Sequence, residues 1–173
     1  MRLFIAVDLA SELGAKVEAV QKEIAESALS LIPMVNLHTT LKFLGEVPDS
    51  EVEDITKSLS LIKMAPFEVE YKDIGAFPSA QHARVVWIGI HGPMNQLADK
   101  VKEALPQYSN NYPFKAHLTI ARVRSQPVRL VDNLQRFRNY YVGKQVVNSF
   151  VLKKSVLGGG GPVYEDVQKF DLS

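Results

Sequence analysis

His38-Thr39-Thr40-Leu41 returns 79 positions later as His117-Leu118-Thr119-Ile120, and these two stretches predict how the chain is organised. Both fit the template His-x-Thr-apolar, and both lie in runs with β-strand character. Side chains in a strand alternate between its two faces, so a His and a Thr two positions apart point the same way. Each copy therefore offers one imidazole and one hydroxyl from a single face.

The residues around each motif divide into an apolar face and a polar face. In the predicted strand 35–44, the residues expected to meet the core are Leu37, Thr39, Leu41 and Phe43. Those expected to face outward are His38, Thr40 and Lys42. In the predicted strand 112–123 the corresponding sets are Ala116, Leu118 and Ile120, and Lys115, His117 and Thr119. The pattern places both histidines and both threonines away from the core.

The flanking sequence predicts an α+β fold with two similar lobes. Apolar residues at helical spacing follow Ser11, Ser50, Pro93 and Pro127, and β-rich runs cover residues 3–7, 67–74, 84–90, 145–152 and 163–172. Residues 75–81 are predicted as a loop and Gly158 to Gly161 as a hairpin loop. Each lobe should contribute one motif strand of an antiparallel sheet, with a cleft between the lobes, and residues 1–173 should form a single two-lobed domain.

Composition predicts an ordinary globular protein of the cytoplasm. The 173 residues are 46% hydrophobic and include no cysteine, which excludes disulfides and thiolate metal sites. The N-terminus does not resemble a signal peptide, and no apolar run approaches the roughly 20 residues that span a bilayer. The net charge is +1, but residues 113–154 hold nine bases and one acid, a segment charge of +8. This asymmetry favours a face that receives an anion.

Two opposed His-x-Thr motifs would suit the cleavage of a phosphodiester without a metal. The reaction needs a nucleophile activated on one side and a leaving oxygen protonated on the other, and histidine serves both tasks because its ordinary pKa is about 6.5. The hydroxyls of Thr40 and Thr119 would donate to non-bridging phosphate oxygens. Two other interpretations remain open: a non-catalytic module that binds a nucleotide or RNA end in the same cleft, and a metal-dependent hydrolase.

The chain resembles the two-histidine phosphoesterase superfamily and, within it, the RNA 2′,3′-cyclic phosphodiesterases, also called 2′-5′ RNA ligases. The matching pieces span the whole chain: Arg2 to Val7, His38 to Gly45 (HTTLKFLG), Phe77-Pro78, Phe114 to Arg122 (FKAHLTIAR) and Leu152 to Tyr164. The resemblance implies a bilobal α+β fold with pseudo-two-fold symmetry, and no metal or other cofactor. It also implies RNA or nucleotide ends with a 2′,3′-cyclic phosphate as partners, tRNA fragments among them. The sequence leaves the oligomeric state open, with a monomer as the expectation, and predicts no membrane partner.

The resemblance also assigns roles. It makes His38 the proton donor to the departing 3′ oxygen and His117 the proton acceptor from water, which the motifs alone do not distinguish. Arg122 matches an arginine of the family that contacts phosphate or ribose. By parity Arg122 would point toward the core, so either the strand ends or bulges before it, or it is structural. Lys42 has the parity for the cleft and is a further candidate for substrate binding.

Overall fold

The two motif strands lie in two different antiparallel sheets of the computed structural model, which describes residues 1–109 and 112–173. In chain order the elements are β1 (Arg2–Asp8), α1 (Gly14–Ile24), β2 (Leu29–Leu31), β3 (His38–Glu46), α2 (Val52–Ser60), β4 (Phe67–Pro78), β5 (Ala83–His91), α3 (Met94–Ala104), β6 (His117–Val123), α4 (Val131–Gln135), β7 (Tyr141–Val147), β8 (Ser149–Gly158) and β9 (Gly161–Asp171). Among the described residues, one sheet has the order β3-β1-β8-β9 and the other β2-β6-β5-β4-β7. The prediction of an α+β fold with one motif strand in each sheet is confirmed.

The sheets are not the two halves of the chain. The first sheet, β3-β1-β8-β9, combines the N-terminal strands with the C-terminal hairpin, whereas the second, β2-β6-β5-β4-β7, takes in the middle of the chain. The chain therefore crosses between the sheets, and one crossing runs from the end of β2 at Leu31 to the start of β3 at His38. This crossing brings the first motif out of a segment that is anchored to the second sheet.

Each sheet packs against helices on the face turned away from the motif histidines. Helices α2 and α3 contact the first sheet, and α1 contacts β6 and β7 of the second. The stripe predicted for α1 is confirmed: Leu13, Val17, Val20 and Ile24 are all at most 3% exposed. The apolar motif residues Leu118 and Ile120 are also buried in this core. No helix within the two described ranges is long and apolar enough to cross a bilayer.

Several elements differ from the prediction, beginning with the motif strands, since β3 starts at His38 and β6 at His117 rather than at residues 35 and 112. Strand β4 continues through Pro78, so most of the predicted loop 75–81 is strand. The run 145–152 is divided between β7 and β8, which lie in different sheets and are separated by Asn148. The short strand β2 was not predicted, because three residues carry too little periodicity to be recognised. The hairpin turn between Gly158 and Gly161 is confirmed.

Candidate active site

The His38 ring is held at the start of β3 by two hydrogen bonds. Its Nδ1 lies 2.7 Å from the carbonyl oxygen of Asn36, and its Nε2 lies 3.0 Å from Oγ1 of Thr40. A carbonyl oxygen only accepts, so Nδ1 carries a hydrogen and donates it to Asn36. In the neutral ring Nε2 is then an acceptor for the Thr40 hydroxyl. The local strand geometry therefore fixes the tautomer and points Nε2 at the threonine two residues on.

Aromatic side chains enclose His38. The ring centroid of Phe4 is 5.1 Å away and that of Tyr164 is 5.2 Å away, the latter edge-on. Burial lowers the pKa of His38, and the positive charges of Lys153 and Arg122 lower it further, against opposing effects of the Asn36 carbonyl and the Asp8 carboxylate. The neutral form of His38 is consequently favoured in the free protein.

His117 repeats this arrangement at the start of β6. Its Nδ1 lies 2.7 Å from the carbonyl oxygen of Lys115, again two residues earlier, so that Nδ1 donates and Nε2 is left free to take up a proton. The ring of Phe77 meets it edge-on at 5.1 Å, and the Lys115 ammonium lies 5.6 Å from the centroid of Phe77. The two motifs therefore share backbone geometry as well as sequence, but only His38 lies between two aromatic rings.

Both motif strands carry a β-bulge at the third residue after the histidine. In β3, Thr40 pairs with Ala6 and Lys42 with Ile5, which leaves Leu41 as the extra residue. In β6, Thr119 pairs with Trp87 and Ala121 with Val86, which leaves Ile120 as the extra residue. A bulge inserts one residue and reverses the alternation beyond it. The residue five positions after each histidine consequently returns to the histidine's own face, which we call the cleft face.

The bulges decide the positions of Arg122, Phe43 and Lys42. Arg122 lies on the cleft face of β6, because the strand bulges before it. Phe43 occupies the equivalent place on β3 and is 61% exposed, so the prediction that it faces the core is wrong. Lys42 shares the opposite face with Ile5, is 4% exposed, and has a pKa lowered by burial and by Lys102 on α3. The predicted orientation of Lys42 toward the cleft is therefore also wrong.

Strands β3 and β6, which belong to different sheets, are in contact with each other. Arg122, on the second sheet, lies near enough to His38, on the first, for its charge to lower the pKa of the imidazole. Thr119 is half-buried on the same face of β6 as His117, opposite Trp87 of β5. The structure thus brings Arg122 near His38 and keeps each motif's histidine and threonine on one face of its strand; that His117 and Thr119 share one cleft with His38 and Thr40 stays a prediction.

A charged cluster and a cavity lie beside His38. The ammonium of Lys153 is 3.0 Å from Oδ1 of Asp8 and 2.7 Å from Oδ1 of Asp166, and the lysine side chain is only 9% exposed. Although burial lowers the pKa of Lys153, the hydrogen bonds to Asp166 and Asp8 outweigh it and raise the pKa above the usual value. A cavity of about 640 Å³ is lined by these three side chains and by Tyr164, whose ring touches His38. The sequence contains no signal for this cluster, because its members come from three separate strands.

Two buried glutamines were also missed. Gln21 of α1 is 5% exposed and Gln145 of β7 is 8% exposed, and each binds backbone groups of distant segments. A signal for Gln21 was present, since it lies on the buried stripe of α1 four residues after Val17. A polar residue on an apolar stripe indicates a specific buried partner.

Comparison with known proteins identifies relatives along the whole chain. A family model described as LigT like Phosphoesterase matches residues 7–87. The RNA 2′,3′-cyclic phosphodiesterase of Archaeoglobus fulgidus is 36% identical, covering 99% of this chain and 100% of the relative. The protein of the same name from Aquifex aeolicus is 30% identical over 99% of this chain and 97% of its own length.

Solved structures with the same architecture include TT0787 of Thermus thermophilus. It superimposes with a TM-score of 0.86 at 29% sequence identity, covering 99% of this chain and 97% of that one. Escherichia coli LigT complexed with 3′-AMP superimposes with a TM-score of 0.81 at 25% identity, covering 99% of this chain and 98% of the other. The arrangement of two antiparallel sheets with helices is therefore shared with these proteins.

Proposed function

Because the chain belongs to the LigT-like phosphoesterases, in the RNA 2′,3′-cyclic phosphodiesterase family, we propose that it hydrolyses the 2′,3′-cyclic phosphate at RNA or nucleotide ends to a 2′-phosphomonoester. The observation that carries the proposal is the matched geometry of the two motifs. Each histidine donates from Nδ1 to a carbonyl two residues earlier and keeps Nε2 for proton transfer. The strands that carry them are in contact across the two sheets.

In the proposed reaction the oxygen of a water attacks phosphorus while Nε2 of His117 takes the water's proton. The bond from phosphorus to the 3′ oxygen breaks, and Nε2 of a protonated His38 supplies a proton to that oxygen. The product carries a 2′-phosphate and a free 3′-hydroxyl. Each well-placed acid or base contributes about 10²- to 10⁴-fold in rate. The assignment of donor and acceptor follows from resemblance to the family.

Thr40, Thr119 and Arg122 would bind the non-bridging phosphate oxygens. The Thr40 hydroxyl already points toward Nε2 of His38, so it can turn from the imidazole to a phosphate oxygen when that nitrogen is protonated. The forked guanidinium of Arg122 suits two oxygens of one phosphate. The two hydroxyls would hold the phosphate in line and offset the charge that develops in the transition state, and Arg122 would add to binding of the substrate.

The same pair of histidines would also support the joining of two RNA ends. A 5′-hydroxyl in place of water would attack the cyclic phosphate and form a 2′-5′ bond, with the same proton transfers. The relative complexed with 3′-AMP supports a cleft that accepts one nucleotide. We therefore include cyclic nucleotides and tRNA fragments among the substrates to be tested. That residues 1–173 act as one monomeric two-lobed domain stays a prediction.

The test is turnover of 2′,3′-cyclic AMP in the presence of excess EDTA. We expect wild-type protein to produce 2′-AMP, and His38→Ala and His117→Ala each to lower kcat by about 10²-fold or more. His82→Ala is the matched control, since His82 is exposed and outside both motifs, and it should retain full activity. Loss of wild-type activity with EDTA would indicate a metal-dependent hydrolase, and binding without turnover would indicate a non-catalytic module.

A further inference from the structure

The bulge of β6 is held by a side chain from outside the motif. The carbonyl oxygen of Ile120, the extra residue of the bulge, accepts two hydrogen bonds. One comes from the backbone N–H of Ile32 at 3.0 Å, and the other comes from Nε2 of Gln21 at 2.9 Å. The Gln21 side chain is buried, so water does not replace it readily. Without the bulge, the alternation of the strand would turn Arg122 away from the cleft face.

The same amide nitrogen also anchors the segment that leads to the first motif. Nε2 of Gln21 donates its second hydrogen to the carbonyl oxygen of Ile32 at 2.9 Å. Ile32 follows β2, and the chain then crosses to the first sheet through Asn36, whose carbonyl oxygen holds Nδ1 of His38. One buried amide therefore joins the bulge that directs Arg122 to the crossing that delivers His38.

We propose that Gln21 is a positioning residue of the cleft, which acts by holding the Ile120 bulge and through it the orientation of Arg122. The proposal rests on the proposed function, because it requires Arg122 to bind the substrate phosphate. Gln21 itself does not touch substrate. An apolar side chain of similar size would fill the same space but leave the Ile120 carbonyl with the Ile32 N–H alone and the Ile32 carbonyl without this donor, and the loss of buried hydrogen bonds favours a relaxed strand register.

The experiment is a double-mutant cycle between Gln21→Met and Arg122→Ala, read out as KM and kcat for 2′,3′-cyclic AMP. Gln21→Met should lower kcat/KM by about tenfold, mainly through KM, as expected for the loss of one charge-assisted phosphate contact. Since both substitutions remove the same contact, the double variant should be within about twofold of Arg122→Ala alone. Kinetics are measured at a temperature at which circular dichroism shows every variant to be folded.

Gln145→Met is the matched control. Gln145 is a second buried glutamine whose Nε2 donates to a backbone carbonyl, that of Asp8 at 2.9 Å, but it does not contact the β6 bulge. Its replacement and Gln21→Met should each lower the melting temperature by several degrees, because each loses buried hydrogen bonds. Its effect on kcat/KM should multiply with that of Arg122→Ala rather than disappear in the double variant.

Gln21→Glu provides a second variant in case Gln21→Met does not fold. Burial raises the pKa of a carboxyl group, so this side chain should stay protonated and keep one O–H donor where glutamine has two N–H donors. Its KM should fall between those of the wild type and the tenfold-weakened protein. Wild-type KM in both Gln21 variants, or effects that multiply with Arg122→Ala, would overturn the proposal for Gln21 alone. Wild-type kinetics of Arg122→Ala would instead remove the phosphate role of Arg122, and the proposal with it.

Discussion

The exposed ring of Phe43 gives the sharpest prediction about how the cleft recognises its substrate. Phe43 is 61% exposed on the cleft face, at the place on β3 that Arg122 occupies on β6. Its ring centroid is 6.1 Å from that of Phe4, which in turn is 5.1 Å from His38. An aromatic surface so close to the proposed phosphate site is placed to stack on the base of the bound nucleotide. We therefore expect Phe43→Ala to weaken substrate binding.

The expected changes in KM and in stability follow from what the Phe43 ring contacts with substrate bound and in the free protein. Stacking of a base on an aromatic side chain is worth about 1–3 kcal/mol, which corresponds to about 5- to 150-fold in KM. Full burial of a phenylalanine stabilises a fold by about 1.5–3 kcal/mol, and a ring that is mostly exposed contributes well under half of that. Phe43→Ala should consequently raise KM strongly while lowering the free energy of unfolding by less than about 1 kcal/mol.

The assay compares two substrates that share the cyclic phosphate and differ in the base. With 2′,3′-cyclic AMP, Phe43→Ala should show the raised KM, and Phe43→Trp should restore it. With glycerol 1,2-cyclic phosphate, which has no base, the wild type and Phe43→Ala should have the same KM within about twofold. Leu61→Ala, at an exposed residue directly after α2, is the control for a lost surface side chain. An equal rise of KM on both substrates would refute the stacking argument.

The remaining predictions concern charge. Lys153→Met should raise the pKa of His38, because it removes a neighbouring cation and frees the carboxylates of Asp8 and Asp166. Asp8→Asn should lower the pKa of His38, because it removes a neighbouring negative charge. NMR titration of the imidazole ring measures both shifts, and a shift in the opposite direction contradicts the electrostatic account. Lys42→Met should leave kcat/KM unchanged, since Lys42 is buried on the face opposite to the cleft. A loss of kcat/KM above about threefold, measured at equal folded fraction, would show that Lys42 does contribute to substrate binding. Folding lowers the pKa of His38, so the unfolded chain binds more protons than the folded chain as the pH falls below 6.5. The stability that this group contributes is therefore complete above pH 6.5 and is lost as the pH falls through the folded-state pKa. Urea unfolding at pH 7 and pH 5 should show a smaller decrease for His38→Gln than for the wild type, and equal decreases would exclude this linkage.

The sequence was sufficient to identify the motif strands and the faces that carry the histidines. Alternation places His38 with Thr40 and His117 with Thr119, and the structure keeps each pair on one face because no bulge separates its members. The α1 stripe was equally readable, since helical spacing depends only on local geometry. These features follow from the period of a single element.

What the sequence could not reveal depends on contacts between distant segments. Nothing in the residues around Leu41 or Ile120 marks a bulge, since neither position is a glycine, and the bulge at Ile120 is held by donors from α1 and from the segment after β2. The alternation of faces therefore predicted the wrong face for Phe43 and Lys42, which follow the bulge at Leu41. For the same reason Arg122, which follows the bulge at Ile120, lies on the face opposite to the one that simple alternation predicts. The pairing of Lys153 with two aspartates from other strands is likewise a property of the folded sheet.

The two histidines share a template but not an environment, and the difference bears on how an acid of lowered pKa can act as a proton donor. In the free protein, burial together with Lys153 and Arg122 lowers the pKa of His38 and favours its neutral form, whereas the role proposed for it requires a proton. A phosphate held by Thr40 and Arg122 would bring negative charge next to the ring and offset the positive charges that lower its pKa. Substrate binding would then supply the protonated state that leaving-group departure needs, so binding of the anion and charging of His38 would be one coupled event. Calorimetric titration with 2′-AMP in buffers of different ionisation enthalpy should accordingly show more proton uptake in the wild type than in His38→Gln, and equal proton uptake in the two proteins would contradict this coupling.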